Sequence, residues 1–411
     1  MSSATLGLDA ARAVDPVRFA LAGVTPRVAL RPATREEVAA ALEAASHNGL
    51  AVVPWGGGAG LARAGAPPRY DLALDLGALD RIVEYDPEDL TLSAECGVTI
   101  AALRTALSAR GQELPIEAAR SERATLGGTL AANASGARRM RFGSPRDRIL
   151  GARFALADGT LARTGGKVVK NVAGYGIHRL LCGSRGGLAV MLEASLKLQP
   201  APETRVALVF EASAAQIADP ARWAPFARLE PAVLSVLGRD AAATLPSVAA
   251  RGAFTVILGL EDETRWVERQ AAIATAALGA ASARIEGADT VRLWQSLADL
   301  EDQGGVLLSF TTARNTPAAL APLLERPEAG DLVFHAPAGR LHVPTERASA
   351  QELVHALARE GFSLIESHGI GSLEPAIAPQ AGVLALRAKI RAALDPAATL
   401  ALGERWAAGS V

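Results

Sequence analysis

Glycine is concentrated in one short stretch of the chain, Val53-Pro-Trp-Gly-Gly-Gly-Ala-Gly-Leu61, in which residues 56–60 hold four glycines in five positions. A protein grips a pyrophosphate through backbone N–H groups, and the backbone comes that close only where side chains are absent. The stretch follows an apolar segment, residues 50–54, that predicts a strand, so these N–H groups would lie at a strand's carboxyl end. A flexible turn is the alternative, and for a single glycine-rich loop it is the favoured one.

Two further glycine-rich segments favour the ligand-binding interpretation over the flexible turn. They are Thr125-Leu-Gly-Gly-Thr-Leu-Ala-Ala-Asn-Ala-Ser-Gly136 and Gly183-Ser-Arg-Gly-Gly-Leu-Ala-Val190, with Val168-Val-Lys-Asn-Val-Ala-Gly-Tyr175 between them. Together these segments predict a cradle for a dinucleotide. The chain has no Gly-x-Gly-x-x-Gly, Gly-x-x-x-x-Gly-Lys-Ser/Thr or Gly-x-Ser-x-Gly, so it lacks the motifs of nicotinamide dehydrogenases, P-loop proteins and α/β-hydrolases.

The composition limits the classes of protein to which this chain can belong. The chain has 411 residues and 50% hydrophobic content. This length is greater than that of a typical domain with one hydrophobic core, so two domains are predicted. A net charge of −1 without a basic run argues against nucleic acid as a partner. No run of about 18 uninterrupted apolar residues occurs, so no transmembrane helix is expected. The start, Met1-Ser-Ser-Ala-Thr, lacks the pattern of a secretory signal, and a cytoplasmic location is predicted.

The two cysteines, Cys96 and Cys182, lie far apart and outside any Cys-x-x-Cys motif. The chain therefore has neither a disulfide framework nor ligands for an iron–sulfur cluster of its own. Both cysteines are predicted to be core thiols.

The elements that would position these segments alternate along the chain. Thr34 reads as the N-cap of a helix over residues 38–45, with Glu37 three positions on, and Asp158-Gly159 reads as a hairpin turn. Strands are predicted at residues 27–30, 71–76, 90–95, 153–156, 160–163, 188–198, 206–210 and 254–260, and further helices at 100–109 and 266–278.

The glycine motifs end near residue 204, which marks a predicted domain boundary. The predicted domains are residues 1–203, with lobes at about 25–86 and 87–203, a cap domain at 204–378, and a segment at 379–411 that returns to the first domain.

The motifs and their order resemble the FAD-binding domain of the vanillyl-alcohol oxidase type, also called the p-cresol methylhydroxylase type, over residues 25–200. The resemblance implies an α+β fold, with a two-lobed FAD-binding domain and an α+β cap domain. Family members with covalent flavin often carry a histidine in the first glycine loop, where this chain has Ala59, so FAD is expected to bind noncovalently. The residues expected to bind FAD are Pro54, Trp55, Gly56, Gly57, Gly58, Ala59, Gly60, Leu61, Pro115, Thr125, Leu126, Gly127, Gly128, Ala131, Ala132, Asn133, Ser135, Gly136, Gly143, Gly187 and Val190.

Three stretches narrow the resemblance to the E-subunit branch of the bacterial glycolate oxidases: Gly166–Tyr175, Leu293-Trp-Gln-Ser-Leu297 and residues 386–396. This branch implies a complex that oxidises a 2-hydroxy acid to the 2-oxo acid, with a second FAD subunit and an iron–sulfur subunit as partners. Membrane contact, at the inner face, would then occur only through those partners. The chain departs from the family at Arg185, where glutamate is usual, and at Gly176, where aspartate is usual.

Two histidine-containing segments resemble motifs of the related D-2-hydroxyacid dehydrogenases, which bind a divalent metal and provide a histidine base. The family motifs are His-x-Gly-Asp-Gly-Asn-x-His and Glu-His-Gly-x-Gly. This chain has His335-Ala-Pro-Ala-Gly-Arg-Leu-His342 and Ser367-His-Gly-Ile-Gly371. Two imidazoles without a carboxylate in register make a poor cation site, so we predict a degenerate site that binds no metal.

The functional alternative assigns chemistry to three residues. His368 would act as the base, and Arg340 would bind the substrate carboxylate through its two-pronged guanidinium. Lys170, beside Tyr175, would polarise the substrate or the flavin, although a lysine in that setting can simply extend to the surface. The opposing interpretation treats His335, His342 and His368 as ordinary residues of the cap domain.

Three function classes remain open from the sequence. The chain is a catalytic subunit that dehydrogenates glycolate, D-lactate or a larger 2-hydroxy acid, a noncatalytic FAD relay or structural subunit, or a stand-alone FAD-dependent dehydrogenase or oxidase. The degenerate histidine motifs favour the second class, and all three require the FAD cradle.

Overall fold

The computed structural model describes residues 12–61, 67–166, 175–301, 305–368, 370, 373 and 380–403. Its first lobe is a four-stranded sheet in the order β1-β2-β4-β3, in which β2, β4 and β3 run parallel. The elements of this lobe are β1 (Ala13–Val14), β2 (Val28–Leu30), α1 (Arg35–His47), β3 (Val52–Trp55) and β4 (Leu72–Asp75).

Helix α1 begins where the sequence predicts. The hydroxyl of Thr34 accepts a hydrogen bond from the Glu37 N–H at 3.1 Å, and the Glu37 carboxylate accepts one from the Ala33 N–H at 2.8 Å. The first bond satisfies an N–H group that a helix start leaves without a partner, and the second holds the residue before the N-cap. The buried face of the helix, which includes Val38 and Leu42, packs against the sheet and so fixes β3 and the loop that follows it.

The second lobe is a five-stranded antiparallel sheet in the order β5-β6-β10-β8-β9. The hairpin turn at Asp158-Gly159 is present, because Ala155 pairs with Leu161. Strand β5 pairs with β6, so the division between the lobes lies before Ile82 and not at residue 86 as predicted. The elements are β5 (Ile82–Asp86), β6 (Thr91–Glu95), α2 (Ile100–Ser108), β7 (Gln112–Glu113), α3 (Leu126–Ala132), α4 (Arg139–Phe142), α5 (Pro145–Arg148), β8 (Ile149–Ala155), β9 (Leu161–Gly165), α6 (Ile177–Leu181), β10 (Val190–Lys197) and β11 (Gln199–Pro200).

The cap is built on an eight-stranded antiparallel sheet in the order β15-β12-β14-β13-β17-β18-β16-β19. The strands are β12 (Thr204–Ala212), β13 (Val233–Gly238), β14 (Phe254–Asp262), β15 (Ala283–Glu286), β16 (Val306–Thr312), β17 (Val333–His335), β18 (Arg340–Thr345) and β19 (Phe362–His368). The helices are α7 (Ala214–Ala218), α8 (Pro220–Trp223), α9 (Arg239–Ala243), α10 (Thr264–Leu278), α11 (Ala288–Leu300) and α12 (Ala350–Arg359).

Alternation along β12 explains why both faces of the cap sheet are covered. Val206, Leu208 and Phe210 lie in one core with α10 and α12, whereas Ala207 and Val209 lie in another with α11. Helix α11 thus lies on the second face of the sheet, and its Gln295 donates to the Ala118 carbonyl of the second lobe at 2.9 Å. The cap and the second lobe therefore meet along this helix.

The chain returns to the first lobe after α13 (Ala381–Leu394). The Val52 N–H donates to the Thr399 carbonyl at 2.7 Å, and the Ala401 N–H donates to the Val52 carbonyl at 2.9 Å. Leu400 is fully buried in the core of the first lobe. Among the described residues, no helix has both the length and the apolar content needed to cross a membrane.

Candidate functional site

A cleft that is partly open to solvent lies where the two lobes and the cap meet, and the space within it, together with the adjoining open solvent, is about 1360 Å³. Concave sites of this kind, at the junction of lobes and domains, are where proteins commonly bind cofactors and small molecules. We call the section lined by residues 54–61 and 124–135 the glycine-loop section, and the section lined by Ala298, Glu301, Arg340, His342 and Glu366 the cap section.

The glycine-loop section is formed by direct packing of two distant segments. A Cβ added to Gly57 would overlap the Arg123 carbonyl, and one added to Gly56 would overlap the Thr125 hydroxyl. Within the described residues, the N–H groups of residues 56–60 donate to no other protein group. Free N–H groups on a backbone without side chains are what an anionic phosphate requires. This part of the cleft fits the predicted pyrophosphate loop.

The segment after residue 124 forms a wall of small side chains. Thr125 caps α3 by accepting from the Gly128 N–H at 3.2 Å. A Cβ on Gly127 would lie 2.8 Å from the Cβ of Cys96, so only glycine allows α3 to approach the residue after β6 this closely. The helix ends at Asn133, which has the left-handed conformation with φ 49°. The wall it leaves along the cleft offers backbone and small side chains to a ligand.

Most of the residues expected to bind FAD line this cleft. They are Pro54, Trp55, Gly56, Gly57, Gly58, Ala59, Gly60, Leu61, Thr125, Gly127, Gly128, Ala131, Ala132, Asn133, Ser135 and Val190. The residues that line it without having been predicted individually to bind FAD are Leu76, Cys96, Glu117, Ala118, Ala119, Ala124, Thr129, Ala134, Arg185, Gly186, Ala189, Met191, Ala298, Glu301 and Glu366. Several of these adjoin motif residues, including Glu366 before Ser367 and Ala298 after Leu297, whereas Glu301 belongs to no motif.

Five residues predicted to bind FAD do not line the cleft: Pro115, Leu126, Gly136, Gly143 and Gly187. Leu126 is fully buried in the core of the second lobe. A Cβ on Gly136 would lie 2.9 Å from the Cβ of Glu117, and one on Gly187 would lie 2.9 Å from Gly403. Gly143 has φ +78° at the end of α4. Packing and turn geometry account for these glycines.

The cap section contains a cluster that the sequence did not indicate. Glu301, at the end of α11, lies 3.4 Å from the Nε2 of His335 and 3.8 Å from that of His342. One ligand atom from each of the three lies within 4.8 Å of the others. Both imidazoles are oriented through Nδ1, by Ser235 at 2.7 Å and by Ser309 at 2.9 Å. The expectation of two histidines without a carboxylate was therefore wrong, because Glu301 comes from a different element.

Arg340 and Arg139 are two further cations at this end. Arg340 lines the cleft, and Arg139 donates to the hydroxyl of Ser135, a cleft residue, at 2.9 Å. Neither forms an ion pair with any described residue. Burial and then the positive charge of Arg340 lower the pKa of Arg139 to about 10. The carboxylates of Asp147 and Glu301 also act on Arg139, in the opposite direction. A guanidinium that no carboxylate of the protein pairs can bind the carboxylate of a ligand.

Four other residues that the sequence analysis named have different surroundings. Arg185 bonds Glu366 of the cap at 2.5 Å, so this departure from the family connects the two domains. Tyr175 is 92% exposed and does not line the cleft. Lys170 lies outside the described residues, as does the side chain of His368, whose backbone ends β19 opposite Leu307.

Both cysteines are free, as predicted. Burial raises the pKa of the Cys96 thiol well above its ordinary value, and burial raises that of Cys182 to about 12. Neither thiol is therefore a nucleophile near neutral pH.

Comparisons with known proteins agree with this geometry. Residues 26–165 match the family model of an FAD binding domain. The chain is similar to glycolate oxidase subunit GlcE of Escherichia coli, with 39% identity over 40% of this chain and 46% of that protein. It is also similar to glycolate oxidase subunit GlcD of Bacillus subtilis, with 34% identity over 45% of this chain and 39% of that protein. D-lactate dehydrogenase of Archaeoglobus fulgidus is 35% identical over 43% of this chain and 41% of that protein. The matched segment thus spans less than half of each of these relatives.

Solved structures show the same fold at low identity. The structure of p-cresol methylhydroxylase with substrate bound superposes with a TM-score of 0.73 at 18% identity, over 100% of this chain and 96% of that one. Alkyldihydroxyacetonephosphate synthase gives a TM-score of 0.66 at 17% identity, over 92% of this chain and 76% of that one. The predicted α+β fold, a two-lobed FAD-binding domain with a cap, is confirmed.

Proposed function

We propose, from the premise that residues 26–165 form an FAD-binding domain, that this chain is the FAD-binding subunit of a glycolate oxidase-like 2-hydroxyacid dehydrogenase. The reaction is oxidation of a 2-hydroxy acid to its 2-oxo acid. FAD, when bound, would supply the hydride acceptor. The names of the relatives support this class, since they are glycolate oxidase subunits and a D-lactate dehydrogenase.

The observation that carries the proposal is Arg340, a guanidinium in the cap section that no described carboxylate pairs. A 2-hydroxy acid is an anion at neutral pH, and its carboxylate needs a cation at the end of the cleft away from the pyrophosphate. Arg340 lines that section and has no ion pair among the described residues, and Arg139 lies close enough to interact with it. A guanidinium holds a carboxylate through two parallel hydrogen bonds, which fixes the orientation of the acid.

Removal of the hydroxyl proton needs a base, and we assign that role to His368. Its position at the end of β19, two residues after the cleft residue Glu366, supports the assignment. A neutral imidazole accepts a proton near physiological pH. Lys170 keeps its proposed role of polarising the substrate or the flavin, from a segment outside the described residues.

Glu301, His335 and His342 fit a divalent cation of the Zn²⁺ type. Two imidazoles and one carboxylate are a donor set that catalytic zinc sites use. The serine hydroxyls at each Nδ1 orient the Nε2 atoms toward Glu301, as a metal-binding histidine requires. A cation there would polarise the oxygen atoms of the substrate. This proposal replaces the predicted absence of a metal.

The proposed partners are a second FAD subunit and an iron–sulfur subunit. The chain has two cysteines, neither of them in a cluster motif, so an iron–sulfur route for electrons would have to come from another chain. The names GlcD and GlcE, both subunits of glycolate oxidase, support such an assembly.

The second candidate function is an FAD relay without substrate chemistry. It is favoured by Ser367 and Ala338, which replace the acidic residues of the dehydrogenase motifs. Anaerobic visible spectra of the FAD-loaded chain, recorded before and after addition of glycolate and of D-lactate, separate the two. Bleaching of the flavin band supports the dehydrogenase, and a band that persists with both acids supports the relay.

The variant Arg340→Met then tests the assignment of the carboxylate site, with Arg314→Met as the matched control because Arg314 is an exposed arginine of the same domain. We expect Arg340→Met to keep its FAD and to lose bleaching at substrate concentrations that reduce the native chain. The control should bleach like the native chain. Unchanged bleaching in Arg340→Met would refute the role of this arginine.

A further inference from the structure

Five charged side chains form a buried cluster where the second lobe meets the cap. Arg138 bonds Glu113 at 2.6 Å, Glu117 at 3.0 Å and Glu261 at 2.6 Å. Arg205 bonds Glu113 at 2.7 Å and Glu261 at 3.0 Å. The cluster therefore holds three carboxyl groups and two guanidinium groups. With every group ionised these five side chains would carry one net negative charge, which is costly away from water. The guanidinium of Arg148 is a further charge nearby, and it acts on Glu113 and Arg138.

The hydrogen bonds show which of the three carboxyl groups has the fewest partners. Both oxygens of Glu113 accept from an arginine, and Gln199 donates to it as well at 2.9 Å. Both oxygens of Glu261 also accept from an arginine, and Trp294 adds a bond at 2.9 Å. Glu117 is different, because only its Oε1 accepts, from Arg138 at 3.0 Å, while its Oε2 is buried without a partner among the described residues.

The pKa directions agree with this difference. Burial raises the pKa of Glu117 above its usual range despite the nearby Arg138. For Glu113, burial acts in the same direction, but the charges of Arg138 and Arg205 outweigh it and the pKa is lowered. Glu117 has one ion-pair contact and one buried oxygen without a partner, so it is the carboxyl group of this cluster that is most readily protonated.

Glu117 borders the cleft together with Ala118 and Ala119 and is 6% exposed. Its Oε2 is closed to solvent in the chain without FAD, so a hydrogen bond from this atom to a ligand needs a rotation of the side chain when the ligand binds. It packs against Gly136, where an added Cβ would lie 3.4 Å from Oε2, so the second glycine segment leaves room for this side chain. A protonated carboxyl group carries one O–H donor, and a buried protein acid kept neutral can serve as a hydrogen-bond donor at an active site.

We propose that Glu117 is a protonated carboxyl group whose Oε2–H donates a hydrogen bond to bound FAD, while its Oε1 remains bonded to Arg138. The flavin ring system has carbonyl and ring-nitrogen acceptors that suit a neutral donor. The role is to position the cofactor and to stabilise electron density on it. Unlike the proposed function, the inference needs no substrate, so a chain that never oxidises a 2-hydroxy acid could still confirm it.

The test compares two substitutions of Glu117 in the FAD-loaded chain without substrate. Glu117→Gln keeps a neutral donor and an acceptor for Arg138, so its FAD dissociation constant, flavin absorption band and midpoint potential should stay close to native. Glu117→Met removes the donor, and we expect FAD to bind about tenfold more weakly, with a shifted absorption band. Glu113→Gln is the control, because Glu113 belongs to the same cluster but does not line the cleft. It should lower thermal stability without changing the flavin band.

A flavin band and FAD affinity that are native in a folded Glu117→Met chain would overturn the proposal, and so would a flavin band that shifts equally in Glu113→Gln. If Glu117→Met does not fold, infrared spectroscopy decides with the conservative variant alone. The native FAD-loaded chain should show the carbonyl band of a protonated carboxyl group, and Glu117→Gln should lack it. Absence of that band from the native chain refutes the protonated state.

Discussion

The two sections of the cleft present different chemical groups to a ligand. In the glycine-loop section, backbone N–H groups and small side chains form the surface, and their placement follows from segments that are continuous in the sequence. In the cap section, charged side chains form the surface, and they come from α11, β18 and β19. A backbone site therefore depends on the shape of one loop, whereas a side-chain site depends on how distant elements pack.

The largest expected effect tests the backbone section. Gly57→Ala should abolish retention of FAD, because its new Cβ would overlap the Arg123 carbonyl and push the loop away from residues 123–125. The flavin-to-protein absorbance ratio after desalting measures this. Gly382→Ala is the control, since Gly382 does not line the cleft and an added Cβ there would meet no described atom within 4 Å. The control should retain FAD, with stability changed by less than about 0.5 kcal/mol. Full FAD content in Gly57→Ala would show that this contact does not shape the site.

A smaller effect tests the carboxylate that completes the cap cluster. Glu301→Gln should weaken Zn²⁺ binding by more than about 100-fold, because a metal ligand matters more than the outer-shell groups whose loss costs about 10- to 100-fold. Calorimetric titration with Zn²⁺ measures the affinity, and Glu325→Gln, an exposed glutamate of the same domain, is the control. Equal Zn²⁺ affinity in the native and Glu301→Gln chains would contradict the site.

The smallest effect concerns pH. Because the pKa of Arg139 is lowered to about 10, its guanidinium is charged below that pH and loses its proton as the pH rises through it. A charged Arg139 attracts the substrate carboxylate, so KM for the 2-hydroxy acid should rise by about tenfold as the pH rises through the pKa of Arg139. The pH profile of KM for Arg139→Met should lack this rise and start from the higher value.

Arg141→Met is the control for that profile. Arg141 lies two residues further along the same short helix but bonds Asp262 at 2.8 Å, so it faces a carboxylate of the cap and not the cleft. Its KM profile should keep the alkaline rise. A rise of the same size in Arg139→Met would assign the titration to another group.

The sequence predicts the structure correctly where a feature depends on neighbouring residues. The Thr34 cap, the hairpin at Asp158-Gly159 and the glycine loop each depend on a few neighbouring residues, and all three lie where the sequence indicated. It failed where sequence neighbours are separated in space. Strand β5 follows the first lobe in the chain, but it pairs with β6 in the second sheet.

Glycine spacing and apolar periodicity act over short stretches of chain, and they were sufficient to predict an FAD-binding domain. The charged groups around the cleft are arranged instead by tertiary packing. Glu301 completes the histidine pair, Arg185 meets Glu366, and Glu117 pairs with Arg138 through one oxygen only. Each of these contacts joins residues that are far apart in the chain, and the strength of a buried charge depends on the partners that folding brings to it.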